Sequence, residues 1–282
     1  MCFGVRDAIA LAFAEAERQP LTILGDLVHN ETVLAQLRAR GIRLEQHAAS
    51  ATTPTVMITA HGASELAKSR ARAQGLNVLE ATCPLVHVAH RAVARLVAEG
   101  FHPVIIGKRD HVEVRGLTED LTAFDVVLTE ADVAALPERA RLGIAAQTTQ
   151  PIERVRVLVA AIRRRFPDSE VRFVDTVCQP TKQRQSAATA LARQCDVVVV
   201  IGGAQSNNTK ELVETCRREC ARVHHVQTVA DVRAEWFAGI ETVGLTAGTS
   251  TPDTVIDAVE QALWRIAGQP VPAAANHSPQ AA

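Results

Sequence analysis

Long apolar runs are missing from this chain: none approaches the roughly 20 residues needed to span a bilayer. The first residues also lack the basic-then-apolar layout of a secretory signal. These absences predict a cytoplasmic protein. Excess charge is missing too. Lys+Arg number 30 against Asp+Glu 31, a net charge of -1, so no long-range field marks a nucleic-acid binder, and any bound anion must be held locally. No G-x-G-x-x-G or Walker sequence offers a nicotinamide or nucleotide site. In a reducing compartment the 6 cysteines should stay reduced, which favours thiolate chemistry or metal ligation over a disulfide framework.

What is present is a plan used three times. Helical apolar spacing follows soon after Cys2 (Val5, Ala8, Ile9, Ala12), Cys83 (Ala89, Ala92, Val93, Leu96) and Cys178 (Ala187, Ala188, Leu191). Each run leads into a β-rich stretch ending in glycine, LTILG at Gly25, PVIIG at Gly107 and VVVVIG at Gly202. A second helix and strand then reach a small polar cluster, MITAHGAS, GIAAQTTQ or GLTAGTSTPD, and the stretches LNVLEATC and VRFVDTVC run into the next cysteine. The spacing predicts three similar α/β modules with mostly parallel sheets, over 1–82, 83–177 and 178–267, joined by short strand-to-helix turns. The segment 268–282, rich in Pro and Ala, is expected to be a disordered tail.

In parallel α/β sheets ligands collect beyond the carboxyl ends of the strands, where the three cysteines and the polar clusters fall. Packed around a pseudo-threefold axis the modules would bring these residues to one central cavity; an open array of repeats is the alternative. Cys2, Cys83 and Cys178 would be thiolates at helix N-termini, where the helix dipole should lower thiol pKa, and soft thiolates suit an iron-sulfur cluster or zinc. Alone, any of them reads as a small core residue; repetition at one position of three modules favours ligation. Cys195, Cys216 and Cys220 lie outside that pattern and read as core residues, with a small accessory metal site at the last two as the alternative. Glu113, two positions from His111 in HVE, would point the same way as the histidine in an extended chain.

The segments CFGVRDAI, VHNETV, TAHGAS, EATCPLV, HVEVRG, AQTTQ, DTVC, SNNT and TAGTSTPD recur in this order in the IspH/LytB family of 4-hydroxy-3-methylbut-2-enyl diphosphate reductases, and the resemblance extends to about Gly268. It implies a closed, trilobed protein with a central active site and one 4Fe-4S cluster on Cys2, Cys83 and Cys178. It implies diphosphate binding by His29, His61, Ser206, Asn207, Asn208 and Ser250, substrate contact by His111, and proton delivery at the substrate hydroxyl by Glu113 with Thr148. The products would be isopentenyl and dimethylallyl diphosphate, and electrons would come from a separate ferredoxin- or flavodoxin-type carrier.

The chain departs from the family pattern at Phe3, Val112, Lys182, Gln183 and Asn207, positions that bear on rate and substrate range. Rival readings are a paralogue reducing another allylic or phosphorylated substrate and a non-catalytic iron-sulfur sensor; retention of Glu113 speaks against the second. Met1 directly precedes Cys2, whereas strands precede Cys83 and Cys178, and family members begin with a short apolar strand and a P-R-G-like turn. The true start is therefore expected upstream, and the first module is expected to have a strand with unpaired backbone groups.

Overall fold

Runs such as Val197–Ile201, buried along their whole length, suit strands covered on both faces, and such strands are the centre of parallel sheets flanked by helices. The computed structural model describes residues 1–271 and contains three such sheets. The part of the expected tail from residue 272 to 282 lies outside the described residues. The chain divides into two compact units, Cys2–Ser186 and the residues from Ala187 on.

The first unit holds two sheets. One is built from α1 (Phe3–Ala16), β1 (Leu21–Leu24), α2 (Glu31–Ala39), β2 (Arg43–Glu45), β3 (Thr55–Ile58), α3 (Glu65–Ala73) and β4 (Asn77–Glu80), with strand order β2-β1-β3-β4. The next comprises α4 (Pro84–Ala98), β5 (His102–Ile106), α5 (Val112–Thr118), β6 (Asp125–Val127), α6 (Glu130–Ala135), β7 (Arg141–Ala146), α7 (Ile152–Arg165) and β8 (Glu170–Phe173), in the matching order β6-β5-β7-β8. All their pairings are parallel. The β5 side chains alternate between two cores: Val104 and Ile106 join Leu142, Ile144, Leu158 and Ile162, while Ile105 joins Ala89, Val93, Val114 and Leu117.

Helix α8 (Gln179–Ala192) begins in the first unit and ends in the second, which continues with β9 (Val197–Ile201), α9 (Asn207–Arg217), β10 (Val223–Val226), β11 (Val243–Ala247) and α10 (Asp253–Ile266). Its sheet has the order β10-β9-β11. Val198 and Val200 pack with Ala188, Ala192, Leu212 and Cys216; Val199 and Ile201 face Val226, Ala247 and Val259. Among the described residues no helix is long and apolar enough to cross a membrane.

The shared strand order means that in each sheet the chain leaves the first strand in one direction and returns on its other side. The crevices between β1 and β3, β5 and β7, and β9 and β11 are thus topological switch points, where carboxyl-end loops splay apart and leave room for a ligand. One expectation is corrected. The strand that runs toward a cysteine completes the preceding sheet, β4 pairing with β3 and β8 with β7, so the first sheet has four strands and the three-stranded one is the third, with β11 at its edge.

Candidate functional site

Within the first unit, each switch-point loop carries a polar residue singled out in the sequence. His29 lies between β1 and α2, one residue before the helix-capping Asn30, and His61 follows β3 in a tight turn that Gly62 closes with φ +77, a left-handed conformation that suits glycine. His111 caps α5 after β5, and Thr148 follows β7. The loops bring the three imidazoles together. The His29 and His61 rings stack with centroids 4.4 Å apart, His111 meets both edge-on at 5.6 Å, and one ring nitrogen from each lies within 4.8 Å of the others.

Burial disfavours charge on two of these rings. The His61 pKa is well below the ordinary value, because of burial and then of its two histidine neighbours; that of His111 is lowered to about 4 by burial, His29, Lys108 and Arg115. Orientation is set locally. His111 Nδ1 accepts the Glu113 backbone N–H at 3.1 Å, so the neutral ring must carry its proton on Nε2. His29 Nδ1 stands 3.7 Å from an Asp26 oxygen, and His61 Nδ1 is 3.5 Å from Thr59 Oγ1. Three imidazoles this close could hold a metal ion by proximity. The Nε2 proton of His111 favours the other use: it is a donor toward an anion and must be displaced before that nitrogen can ligate a cation.

Glu113 enters this site from α5 and not from an extended segment. Helix α5 starts at Val112, so the carboxylate occupies the first helical turn and its orientation follows helix geometry, a correction to the period-two reading of HVE. It is 1 % exposed, and Thr148 holds both of its oxygens, the backbone N–H donating to Oε1 at 2.6 Å and the hydroxyl to Oε2 at 3.0 Å. Burial pushes its pKa up to about 7 against the opposing pull of these two bonds. An acid in that range can hold and release a proton near neutrality.

The three cysteines stand at the helix starts expected: Cys2 caps α1, Cys83 caps α4 and Cys178 precedes α8. Backbone bonds tie two of them to the polar loops, Cys83 N–H to Ala60 O at 3.0 Å, beside His61, and Cys178 N–H to Thr148 O at 2.9 Å. The thiols of Cys83 and Cys178 each feel the charge of Cys2 and of Glu113, which places all three sulfurs and the acid in one neighbourhood. The expected thiol acidification is reversed: burial raises Cys83 despite the Leu85 and Val86 N–H groups, and pushes Cys178 up to about 11. Desolvation outweighs the helix terminus.

Gly4 was not visible as a site residue from sequence. A Cβ there would stand 2.4 Å from Cys83 Sγ, so the sulfur occupies space that any other residue would fill. Thr181, whose hydroxyl lies 3.0 Å from Cys178 Sγ, was also missed, although its one-turn spacing from the cysteine was a usable signal.

In the second unit, Ser206 caps α9 beyond β9 by accepting the Thr209 N–H, Asn207 opens that helix, and Asn208 Oδ1 accepts the Thr249 N–H at 2.9 Å. This last bond joins the first turn of α9 to the loop after β11, and Ser250 follows in that loop. Ser206, Asn208 and Ser250 are buried, and Asn208 Nδ2 and Ser250 Oγ lack a hydrogen-bond partner among the described residues. Unsatisfied buried groups of this kind are suited to a polar ligand. Cys216 and Cys220 are buried in the apolar core of this unit with Cys195 against it; the Cys220 thiol reaches the carbonyls of Cys195, Asp196 and Arg222 at 3.4 to 3.5 Å.

A family model described as LytB protein matches residues 1–264. Among similar chains, the 4-hydroxy-3-methylbut-2-enyl diphosphate reductase of Geobacter metallireducens is 36 % identical over 94 % of this chain and 94 % of its own length. That of Geobacter sp. strain M21 is 40 % identical over 92 % of each chain. The solved E-1-hydroxy-2-methyl-but-2-enyl-4-diphosphate reductase of Plasmodium falciparum superposes with a TM-score of 0.85 at 27 % identity, covering 91 % of this chain and 82 % of that one.

Proposed function

Since the chain belongs to the LytB protein family, we propose that it is a 4-hydroxy-3-methylbut-2-enyl diphosphate reductase, removing the substrate's allylic hydroxyl to give isopentenyl and dimethylallyl diphosphate. The observation that carries the residue assignments is the convergence, within one unit, of three imidazoles, a proton-holding carboxylic acid and cysteines from three helix starts.

Cys2, Cys83 and Cys178 would hold an iron-sulfur cluster, one of four irons with one iron left without a protein ligand. The residues fit such a group: three sulfurs in one neighbourhood, with the Cys83 sulfur seated where Gly4 has no Cβ, form a soft donor set that three protons leave on metallation. When bound, the cluster supplies electron transfer and a Lewis-acidic iron.

The chain's own residues do the rest. His29, His61 and His111 bind the diphosphate, and His111 donates from Nε2 while still neutral, so the site does not depend on a net positive charge. We assign Ser206, Asn207, Asn208 and Ser250 to the same substrate, as hydroxyl and amide partners for phosphate oxygens. Glu113, whose pKa burial raises to about 7 and which Thr148 orients, delivers a proton to the departing hydroxyl, which leaves as water. Two electrons and two protons balance the conversion of substrate to product and water. With no nucleotide motif in the chain, the electrons come from a ferredoxin- or flavodoxin-type carrier.

Anaerobically purified protein supplied with a reduced carrier should convert 4-hydroxy-3-methylbut-2-enyl diphosphate to the two five-carbon diphosphates. An iron-loaded preparation that binds the substrate without turning it over would sink the catalytic reading in favour of a sensor.

A further inference from the structure

Helix α4, capped by Cys83, keeps one edge in solvent. Pro84, Val88, Arg91 and Arg95 are all exposed, and their spacing of four, three and four places them along one side of the helix. The apolar pair lies nearest Cys83 and the arginines follow. Beside this edge runs a groove of about 430 Å³, bounded across from α4 by Arg172, Phe173 and Val174, where β8 ends and the chain heads for Cys178. Its walls therefore lead to two of the three proposed cluster ligands.

The groove is lined by the apolar side chains of Val88, Leu96 and Phe173 and by a basic rim of Arg91, Arg95 and Arg172. Neighbouring acids only partly offset that rim. Glu99 pairs with both Arg95 and Arg172, and Glu170 with Arg172 and Arg141, so two carboxylates serve three arginines, while Arg91 has no ion pair among the described residues. The rim is also held in shape. This holds for Arg172, whose guanidinium lies 4.3 Å from the Phe101 ring centroid, with that of Arg141 at 4.0 Å from the same ring, which limits the freedom of that edge of the groove.

We propose that this groove is the docking site for an acidic one-electron carrier protein. The carrier's carboxylates pair with Arg91, Arg95 and Arg172, and the apolar surface around its redox centre meets Val88 and Phe173. The inference rests on the reductase reading, which needs two external electrons per turnover: each docked carrier gives up one electron and leaves oxidised. A modest groove with a charged rim suits such a partner, because charge steers encounter while a small contact area permits release.

The test compares the iron-loaded wild-type protein with its R91E/R95E and R91K/R95K variants, using a plant-type 2Fe-2S ferredoxin as the acidic probe and reduced methyl viologen as a small carrier-independent donor. At low ionic strength R91E/R95E should weaken ferredoxin binding and raise the ferredoxin KM by roughly tenfold or more, with a flatter salt dependence, while viologen-driven turnover stays unchanged. R91K/R95K should behave as wild type. Ferredoxin that fails to bind the wild-type protein, or binds equally well after charge reversal, overturns the docking site. Loss of ferredoxin binding on charge reversal in a protein without viologen-driven turnover upholds the docking surface and overturns the reductase reading instead.

Discussion

Thr148 holds Glu113 by both oxygens, one through its backbone N–H at 2.6 Å and the other through its hydroxyl at 3.0 Å. The arrangement fixes the carboxyl plane and leaves burial to set its proton affinity. Glu113→Gln keeps the shape and one acceptor oxygen for the Thr148 N–H, turns an NH2 donor toward the Thr148 hydroxyl, and has no acidic proton to give. Turnover should fall by at least ~10²-fold, with iron content and substrate affinity retained. Single-turnover kinetics beside iron analysis check this, and an unchanged rate would move the proton donor elsewhere.

The same pair predicts pH behaviour. The proposed role of Glu113 needs its protonated form, so the rate should fall as pH rises through about 7. Thr148→Val removes a hydrogen bond that favours the charged carboxylate, which raises the pKa and should carry the falling limb to higher pH. A limb that stays in place or moves down would separate Glu113 from the titration.

Stability should respond with the same sign. Because folding raises the Glu113 pKa from 4.5 to about 7, its stabilising contribution is present below about 4.5 and is lost as pH rises through about 7. A buried ionised Glu113 at pH 8 then costs up to roughly 3 kcal/mol. Urea unfolding should show Glu113→Gln gaining stability relative to wild type between pH 5 and pH 8; a pH-independent difference would contradict it.

Gly4→Ala sets two effects against each other. Alanine is favoured over glycine by roughly 0.5 to 1 kcal/mol in a helix interior and by less at Gly4, the second residue of α1, yet the added Cβ stands 2.4 Å from Cys83 Sγ. The helix should persist by far-UV circular dichroism while iron per chain drops sharply. Cys2→Ser, Cys83→Ser and Cys178→Ser should lose iron likewise. Cys195→Ser, Cys216→Ser and Cys220→Ser should retain it, although a serine at the fully buried Cys216 position should cost about 1 to 3 kcal/mol of stability for an unpaired hydroxyl.

His29→Ala should weaken binding of inorganic diphosphate, measured by calorimetry, since phosphate oxygens lose an imidazole partner. Full retention of affinity would remove His29 from the anion site.

Repetition made most of this site legible. Cys83 and Cys178 recur at helix starts, and His29, His61, His111 and Thr148 recur beyond strand ends, so each position supported the others. Glu113 was read with the wrong periodicity because HVE is too short to distinguish a loop from the first turn of a helix, and only the cap at His111 decides. The thiol pKa values went the other way because burial depends on how distant segments pack, which a helix N-terminus does not reveal. Gly4 escaped for a related reason: its role is contact with Cys83, far along the chain.

The backbone bonds from Cys83 to Ala60 and from Cys178 to Thr148 have a mechanical consequence. Each fastens a sulfur-bearing helix start to a loop that carries a residue proposed to meet the substrate, His61 or Thr148, so a shift of the loop is passed to the helix start. A shared motion of this kind would disturb the separation between the sulfurs and the residues proposed to bind the substrate less than independent motions would. A substitution such as Ala60→Pro, which leaves the carbonyl but bends the loop, would convert that shared motion into relative motion.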